Sequence, residues 1–164
     1  MEPMHINEVK SLAHSAHADA EVRESLFRAM ASADRREAVG AAWALTHLPA
    51  SDNRHIAAHR AALIRLAVET LDTSLRRLSL ALLERLDWQV DDVDTGLLDF
   101  CLMHLADPAE AVGVRALCIK VAYAQCRHFP ELCAELRQCL LLLVPAELKP
   151  GLKHTRMKTL KLLT

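Results

Sequence analysis

The sequence contains few aromatic residues, few glycines and no long apolar run. Aromatic side chains make up 4% of the 164 residues, and there are four glycines and six prolines. The longest apolar run, Cys139 to Ala146, includes Pro145 and is far shorter than the about 20 residues that cross a bilayer. We therefore expect no membrane partner.

The sequence also lacks the pattern of a β-strand. No stretch alternates polar and apolar residues for long enough to predict one. Apolar residues make up 52% of the chain, with alanine and leucine the most common, and such small or unbranched side chains favour close helix packing. The sequence therefore predicts an all-α fold.

The cysteines and the amino terminus show no sign of secretion. Five cysteines are an odd number, and they are scattered rather than paired in a disulfide framework. The segment Met1 to Lys10 carries Glu2 and Glu8 and lacks the apolar core of a secretory signal. We therefore expect a cytoplasmic protein with reduced thiols.

Charge is nearly balanced over the chain but uneven along it. The formal net charge of −1 argues against a protein that coats nucleic acid, because such a protein needs a basic surface. Residues 84–110 carry a net charge of −7, whereas residues 149–161 carry +5 and no acid. These segments are either solvated faces of adjacent repeats or opposed ends that bind a partner or a second copy.

Arginines recur at nearly constant intervals, which indicates an internal repeat. Arg36, Arg76, Arg115 and Arg156 are separated by 40, 39 and 41 residues. A period of about 40 residues is typical of solenoids built from helix pairs.

Three helix start signals occur together before the third of these arginines. Asp107 can serve as an N-cap, Pro108 suits the first helical position, and Glu110 lies three residues after the cap. The pattern predicts a helix from Asp107 to Arg127.

Apolar spacing and turn residues predict a capping helix followed by four helix pairs. A short turn in the second pair requires its helices to be antiparallel. The capping helix is expected over Ile6–His17, and the pairs over Asp19–Ala31 with Asp34–Leu48, about Ser51–Ala67 with Leu75–Leu86, Leu97–Leu105 with Asp107–Arg127, and Phe129–Leu143 with Pro150–Leu163.

The two middle pairs share a short motif, with an aspartate near the turn and then an apolar residue followed by arginine: Leu71–Asp72, Leu75–Arg76 and Ser79 in one pair, and Ala106–Asp107–Pro108, Val114–Arg115 and Cys118 in the next. In this motif the pairs resemble the HEAT-repeat family. Armadillo-type and other helical-pair repeats are alternatives. The resemblance implies one domain over residues 1–164, a right-handed α-α superhelix of about four antiparallel helix pairs.

The resemblance also implies roles for charged residues and tryptophans. The repeat arginines are expected to bond to aspartates, Arg76 to Asp72 and Arg115 to Asp107. Second helices of such solenoids line the concave side, and arginine and aromatic side chains dominate binding energy at interfaces. We expect Trp43, which has apolar neighbours, to lie in the core. The expected binding surface consists of Arg35, Arg77, Glu84, Trp88, Lys120 and Arg156.

Residues that could carry chemistry do not form a recognisable site. His55 and His59 are one helical turn apart, but two imidazoles without an assignable third ligand do not predict a metal site. Cys126 lies near His128 without an orienting third group, and buried packing is the expected role of the cysteines. No glycine-rich phosphate loop is present. We expect no enzyme activity, no cofactor and no metal.

Protein binding is therefore the function that the sequence favours. We expect a non-catalytic interaction scaffold or adaptor that binds a protein partner on the row of second helices. The alternative is a nucleic-acid-binding or HEAT-like DNA-repair protein, similar to alkylated-base glycosylases that grip duplex on a basic concave face. A homodimer through apolar residues of the carboxy-terminal pair is also open.

Overall fold

A computed structural model of the protein describes residues 4–164. Over this range it contains ten α-helices and no strand, which confirms the predicted all-α fold. The helices are α1 (Ile6–Ala18), α2 (Ala20–Ala29), α3 (Arg35–Thr46), α4 (Asn53–Ala57), α5 (Arg60–Glu69), α6 (Thr73–Glu84), α7 (Thr95–Leu105), α8 (Val112–Cys126), α9 (Pro130–Leu141) and α10 (Pro150–Leu162).

The chain divides into two compact units. Unit 1 ends at Leu86 and contains α1 to α6, and unit 2 runs from Asp87 to Thr164 and contains α7 to α10. In unit 1, α2 packs on α3 and α5 on α6; in unit 2, α7 packs on α8, and α10 packs mainly on α8. The single domain over residues 1–164 stays a prediction, and residues 1–3 lie outside the described part of the chain.

Aspartates fix the first residues of four helices. Each carboxylate accepts a hydrogen bond from a main-chain N–H of the first turn, which otherwise has no partner. Such a cap contributes about 1 kcal/mol, and this explains why the predicted starts at Asp19 and Asp34 agree with the structure. The predicted starts at Leu75 and Leu97 are two residues late, because α6 and α7 begin directly after their capping aspartates. The caps are Asp19 for α2, Asp34 for α3, Asp72 for α6 and Asp94 for α7.

The predicted start of α8 is wrong by five residues. The helix begins at Val112, and the segment before it forms a separate turn. The Asp107 carboxylate accepts from Ala109 N at 2.9 Å, and Glu110 N donates to Asp107 O at 3.1 Å. The main-chain bond from Glu110 N to Asp107 O closes a turn that does not continue as a helix, so the residues of the predicted helix start form a separate turn before α8.

Arginine side chains bind the carbonyl groups at the carboxyl ends of preceding helices. The last carbonyls of a helix have no partner within the helix, and a guanidinium can supply one. Three of the four repeat arginines do so, with Arg76 Nε donating to Ala67 O at 2.9 Å, Arg115 Nε to Leu105 O at 3.0 Å, and Arg156 Nε to Leu140 O at 2.8 Å.

This pattern corrects the predicted pairing of repeat arginines with aspartates. Arg115 donates to Leu105 O rather than to Asp107, and Asp72 pairs with Arg35. The fourth repeat arginine, Arg36, is exposed, and none of the described residues accepts a hydrogen bond from its side chain. The period in the sequence therefore reflects helix ends rather than a row of ion pairs.

Three of the five cysteines lie in the core of unit 2, as the sequence predicts, whereas Cys133 and Cys139, also expected to be buried, are only half-buried. Cys101, Cys118 and Cys126 are buried, and all five thiols are free. A hydrogen bond with Cys118 and burial raise the pKa of the Cys101 thiol. Burial, together with the nearby Cys133, raises the pKa of Cys126 from its ordinary 9.0 to about 12. These thiols stay protonated and pack as small apolar groups.

Replacement of Arg115 by methionine is expected to destabilise the fold. Arg115 is 8% exposed, and its loss leaves the carbonyl of Leu105 without its donor. We expect the free energy of unfolding in urea to fall by about 1–3 kcal/mol. The matched control is Arg36→Met, for which we expect a change within about 0.5 kcal/mol. Equal effects of the two substitutions would contradict the assigned role of Arg115.

The raised pKa of Cys126 predicts resistance to alkylation. With a pKa of about 12, the folded protein at pH 8 holds only about one Cys126 thiolate in ten thousand molecules. The folded state holds the proton of Cys126 more tightly than the unfolded state does, and this stabilises the fold. The stabilisation is complete below pH 9, the ordinary pKa of the thiol, and is lost as the pH rises toward 12, its pKa in the folded protein. Peptide mass spectrometry after iodoacetamide treatment should show Cys126 modified in urea but not in native protein. Equal labelling in both would contradict burial of the thiol.

Candidate binding surfaces

Helices α3 and α6 of unit 1 are joined at both of their ends. At the amino ends, Arg35 Nε donates to the Asp72 carboxylate that caps α6. At the carboxyl ends, Arg85 Nη1 donates to Thr46 O at 3.2 Å, and Arg85 also binds the Asn53 side chain. The two helices therefore run parallel. The side chains of Arg35, Asp72, Arg85 and Asn53 fix their ends, and we call this arrangement the α3–α6 frame.

Electrostatics reinforce this frame at Asp72. Burial acts to raise the pKa of its carboxyl, but the hydrogen bond from Leu75 N and the guanidinium of Arg35 outweigh it, and the pKa lies below its usual value. At the other end, burial lowers the pKa of Arg85, although that group stays charged at neutral pH. The Asp72 carboxylate and the Arg85 guanidinium therefore both stay charged near pH 7.

Two residues of the predicted surface are exposed on α6. Arg77 and Glu84 are seven residues apart, which is two helical turns, so they lie on one face about 10 Å apart along the axis. Neither side chain has a hydrogen bond or ion pair with the rest of residues 4–164. This face thus presents one cation and one anion to solvent.

Two other predicted contacts have a structural role. Arg35 pairs with Asp72, and Arg156 is half-buried with its Nε bound to Leu140 O. A guanidinium that already holds a carboxylate or a carbonyl is less available to a partner. Lys120 of α8, by contrast, is exposed.

The prediction that Trp88 offers its ring to a partner is wrong. Trp88 is 1% exposed, and its carbonyl accepts from Arg127 Nη2 at 3.2 Å. Its position near a helix end suggested an accessible ring, but the large apolar surface of the indole favours burial. Trp43, expected in the core, is half-buried with its ring tilted against His47 at 6.3 Å between centroids. Trp43 is therefore the more accessible tryptophan. The apolar residues beside it in the sequence had led to the prediction that it is buried.

The histidine pair does not lie on one continuous helix. His55 belongs to α4, whereas His59 precedes α5. His59 Nε2 lies 2.8 Å from the Glu24 carboxylate, and its ring stacks on Phe27 with centroids 3.8 Å apart. Within residues 4–164, no three His, Cys, Asp or Glu side chains are close enough together to hold a metal ion.

A small cleft in unit 1 is lined by residues of α2 and α5. Its volume is about 200 Å³, which is enough for one aromatic side chain. The lining is apolar at Phe27, Met30 and Leu63, with Arg65 and Glu69 beside them. The cleft can therefore receive an apolar side chain, but its geometry indicates no reaction.

The strongest basic surface of unit 2 is the solvent-facing half of α10. The sequence showed the charge of this segment but not which of its residues face solvent. Leu152, Thr155 and Thr159 are buried on the inner half. The exposed residues of the helix and of its N-cap include Lys149, Lys153, His154, Met157, Lys158, Lys161 and Leu162.

None of the helices in residues 4–164 is long and apolar enough to span a membrane.

Comparison with known proteins identifies the family. No curated protein and no solved structure matches the chain. A protein-family model described as a HEAT repeat domain matches residues 1–163. Because this match spans nearly the whole sequence and the fold is a series of packed helix pairs, the chain belongs to the HEAT repeat domain family.

Proposed function

We propose that the protein is a non-catalytic scaffold that binds a partner protein through its second helices. HEAT repeats commonly mediate protein interactions, and repeat folds present extended binding surfaces. The observation that carries the proposal is the α6 surface: Arg77 and Glu84 face solvent on a helix whose two ends are fixed to α3. A rigid support lowers the entropy cost of binding, because the main chain that carries these charges is already ordered.

The surface favours a protein partner over a nucleic acid. Glu84 lies on the same face as Arg77, and a carboxylate there would repel a phosphate backbone. A protein surface can match one charge of each sign, which contributes mainly to specificity and to the rate of association. The half-buried Trp43 on the adjoining helix α3 adds an aromatic group of the kind that dominates interface energies.

The proposal of a non-catalytic role rests on the state of the residues that could react. Cys126, the cysteine that lies near His128 in the sequence, is buried and protonated. His128 Nε2 lies 3.0 Å from the Trp88 carbonyl oxygen, an orientation that does not activate a thiol. A cytoplasmic location is part of the same proposal and follows from the reduced, scattered cysteines.

Charge reversal on α6 is expected to reduce recovery of the partner. The tagged protein and its Arg77→Glu and Glu84→Lys variants are used in pull-downs from a lysate of the source organism at moderate salt. We expect each variant to retain at most about a tenth of the partner, the effect of a 1.4 kcal/mol loss. Both side chains are exposed, so unfolding in urea should be unchanged within about 0.5 kcal/mol.

The control is Arg54→Glu, which makes the same charge change at an exposed position of α4. Full recovery by this control and loss by the α6 variants would support the proposal. Unchanged recovery by the α6 variants would remove α6 from consideration. Nucleic acid recovered at low salt and lost as salt rises would favour the nucleic-acid alternative instead.

A further inference from the structure

The outer half of α10 carries more uncompensated charge than a solvated helix needs. Lys149, Lys153, Lys158 and Lys161 are exposed, and none of them forms an ion pair with another side chain in residues 4–164. From Leu148 to Thr164 the chain contains no acidic residue. Like charges three or four residues apart along a helix repel each other, as for Lys149 with Lys153 and Lys158 with Lys161, so this arrangement costs stability in the free protein.

The position of these charges along the helix increases that cost. The first turn of α10 contains no acidic residue, and its N-cap, Lys149, makes no side-chain hydrogen bond to it. The amino end of a helix already carries a partial positive charge, which Lys149 and Lys153 oppose. Local sequence that works against stability is expected where a surface serves binding.

Apolar side chains are interleaved with the lysines. Met157 is 48% exposed and lies between Lys153 and Lys161 along the helix, and Leu162 is 55% exposed at the edge of the same half. Methionine adapts its shape to different partners and is common on binding surfaces. The surface therefore combines positive charge with apolar contact area.

We infer that the outer half of α10 binds an acidic segment of a partner protein that carries apolar residues at helical spacing. This inference rests on the proposed scaffold function and names the chemistry of the partner. Carboxylates would pair with the lysines, and the apolar residues would cover Met157 and Leu162. The distance from Lys149 to Lys161 is about 18 Å, which matches about three turns of an acidic helix.

Two features favour a protein segment over nucleic acid or lipid. The exposed cations of α10 are lysines, since Arg156 is bound to Leu140 O, so no guanidinium of this helix is free to stack on bases. His154 offers the one exposed ring of the helix, whereas proteins that bind single strands stack successive bases on several rings. The exposed apolar residues of α10 are only Met157 and Leu162, whereas a helix that lies in a membrane surface buries a continuous apolar face.

Fluorescence anisotropy with a defined peptide tests the inference. The probe is a labelled peptide of about 14 residues made of glutamate and leucine, with blocked ends and leucine at every third or fourth position. We expect saturable binding to the full-length protein and about tenfold weaker binding to Lys153→Glu/Lys161→Glu. Met157→Ser should weaken binding of this peptide but not of an all-glutamate peptide of the same length.

The matched control is Lys10→Glu/Arg137→Glu, which changes the net charge equally at exposed residues of α1 and α9. We expect its affinity to stay within about twofold of the wild type. An equal loss in this control would overturn the inference, because it would show attraction to net charge alone. Absence of peptide binding at low salt would also overturn it.

Other occupants give distinct outcomes. Tighter binding to duplex DNA or to vesicles of anionic lipid than to the peptide would overturn the protein-partner inference. Self-association of the free protein that Lys153→Glu/Lys161→Glu abolishes would assign the surface to a second copy and would equally overturn it. None of these results involves α6. The proposed function is therefore tested separately, by partner recovery with the Arg77 and Glu84 variants.

Discussion

The binding of arginine to helix-end carbonyls is the interaction on which the rest of the structure depends. A chain of short helices has many ends, and each end leaves carbonyl groups without a partner in the helix. Arg76, Arg115 and Arg156 each donate to a carbonyl near the end of the preceding α-helix. Arg23 of α2 does the same for Ala16 O near the end of α1. One side chain thus satisfies polar groups and fixes the position of one helix against another.

The same requirement explains why the cations that hold helix ends are arginines. The planar guanidinium can bind two carbonyls at once, as Arg85 does with Thr46 O and Pro49 O, and it stays charged when partly buried. An ammonium group is more strongly hydrated and remains in solvent. In unit 2, Arg115 and Arg156 accordingly hold helix ends, whereas Lys120 and the lysines of α10 face solvent. The exposed lysines of unit 2 are therefore charges that the fold does not use.

Short-range rules predict much of this fold, and long-range contacts explain the errors. Helical spacing and the capping aspartates, such as Asp34 and Asp72, predict the helix pairs because both act within a few residues. The same local rules place a helix start at Asp107, but its carboxylate forms a turn with Ala109 instead. Burial of Trp88 depends on packing between elements distant in sequence, which no local pattern contains.

The candidate surfaces were predicted less completely for the same reason. The sequence indicates that Arg35, Arg77 and Arg156 lie on second helices, but not that Arg35 and Arg156 are already bound. The periodic arginines were assigned carboxylate partners because a charge usually finds an opposite charge. A main-chain carbonyl at a helix end serves equally well, and it has no signature in the sequence.

Hydrogen exchange in Arg85→Met tests most directly whether arginines hold the helix ends together. Arg85 lies just beyond α6 and binds carbonyls at and beyond the end of α3, so its loss should free both helices there. We predict faster exchange of main-chain amides in the last turns of both α3 and α6, with unchanged exchange in α1. Faster exchange in α6 alone, or none in either helix, would contradict the role assigned to the arginines.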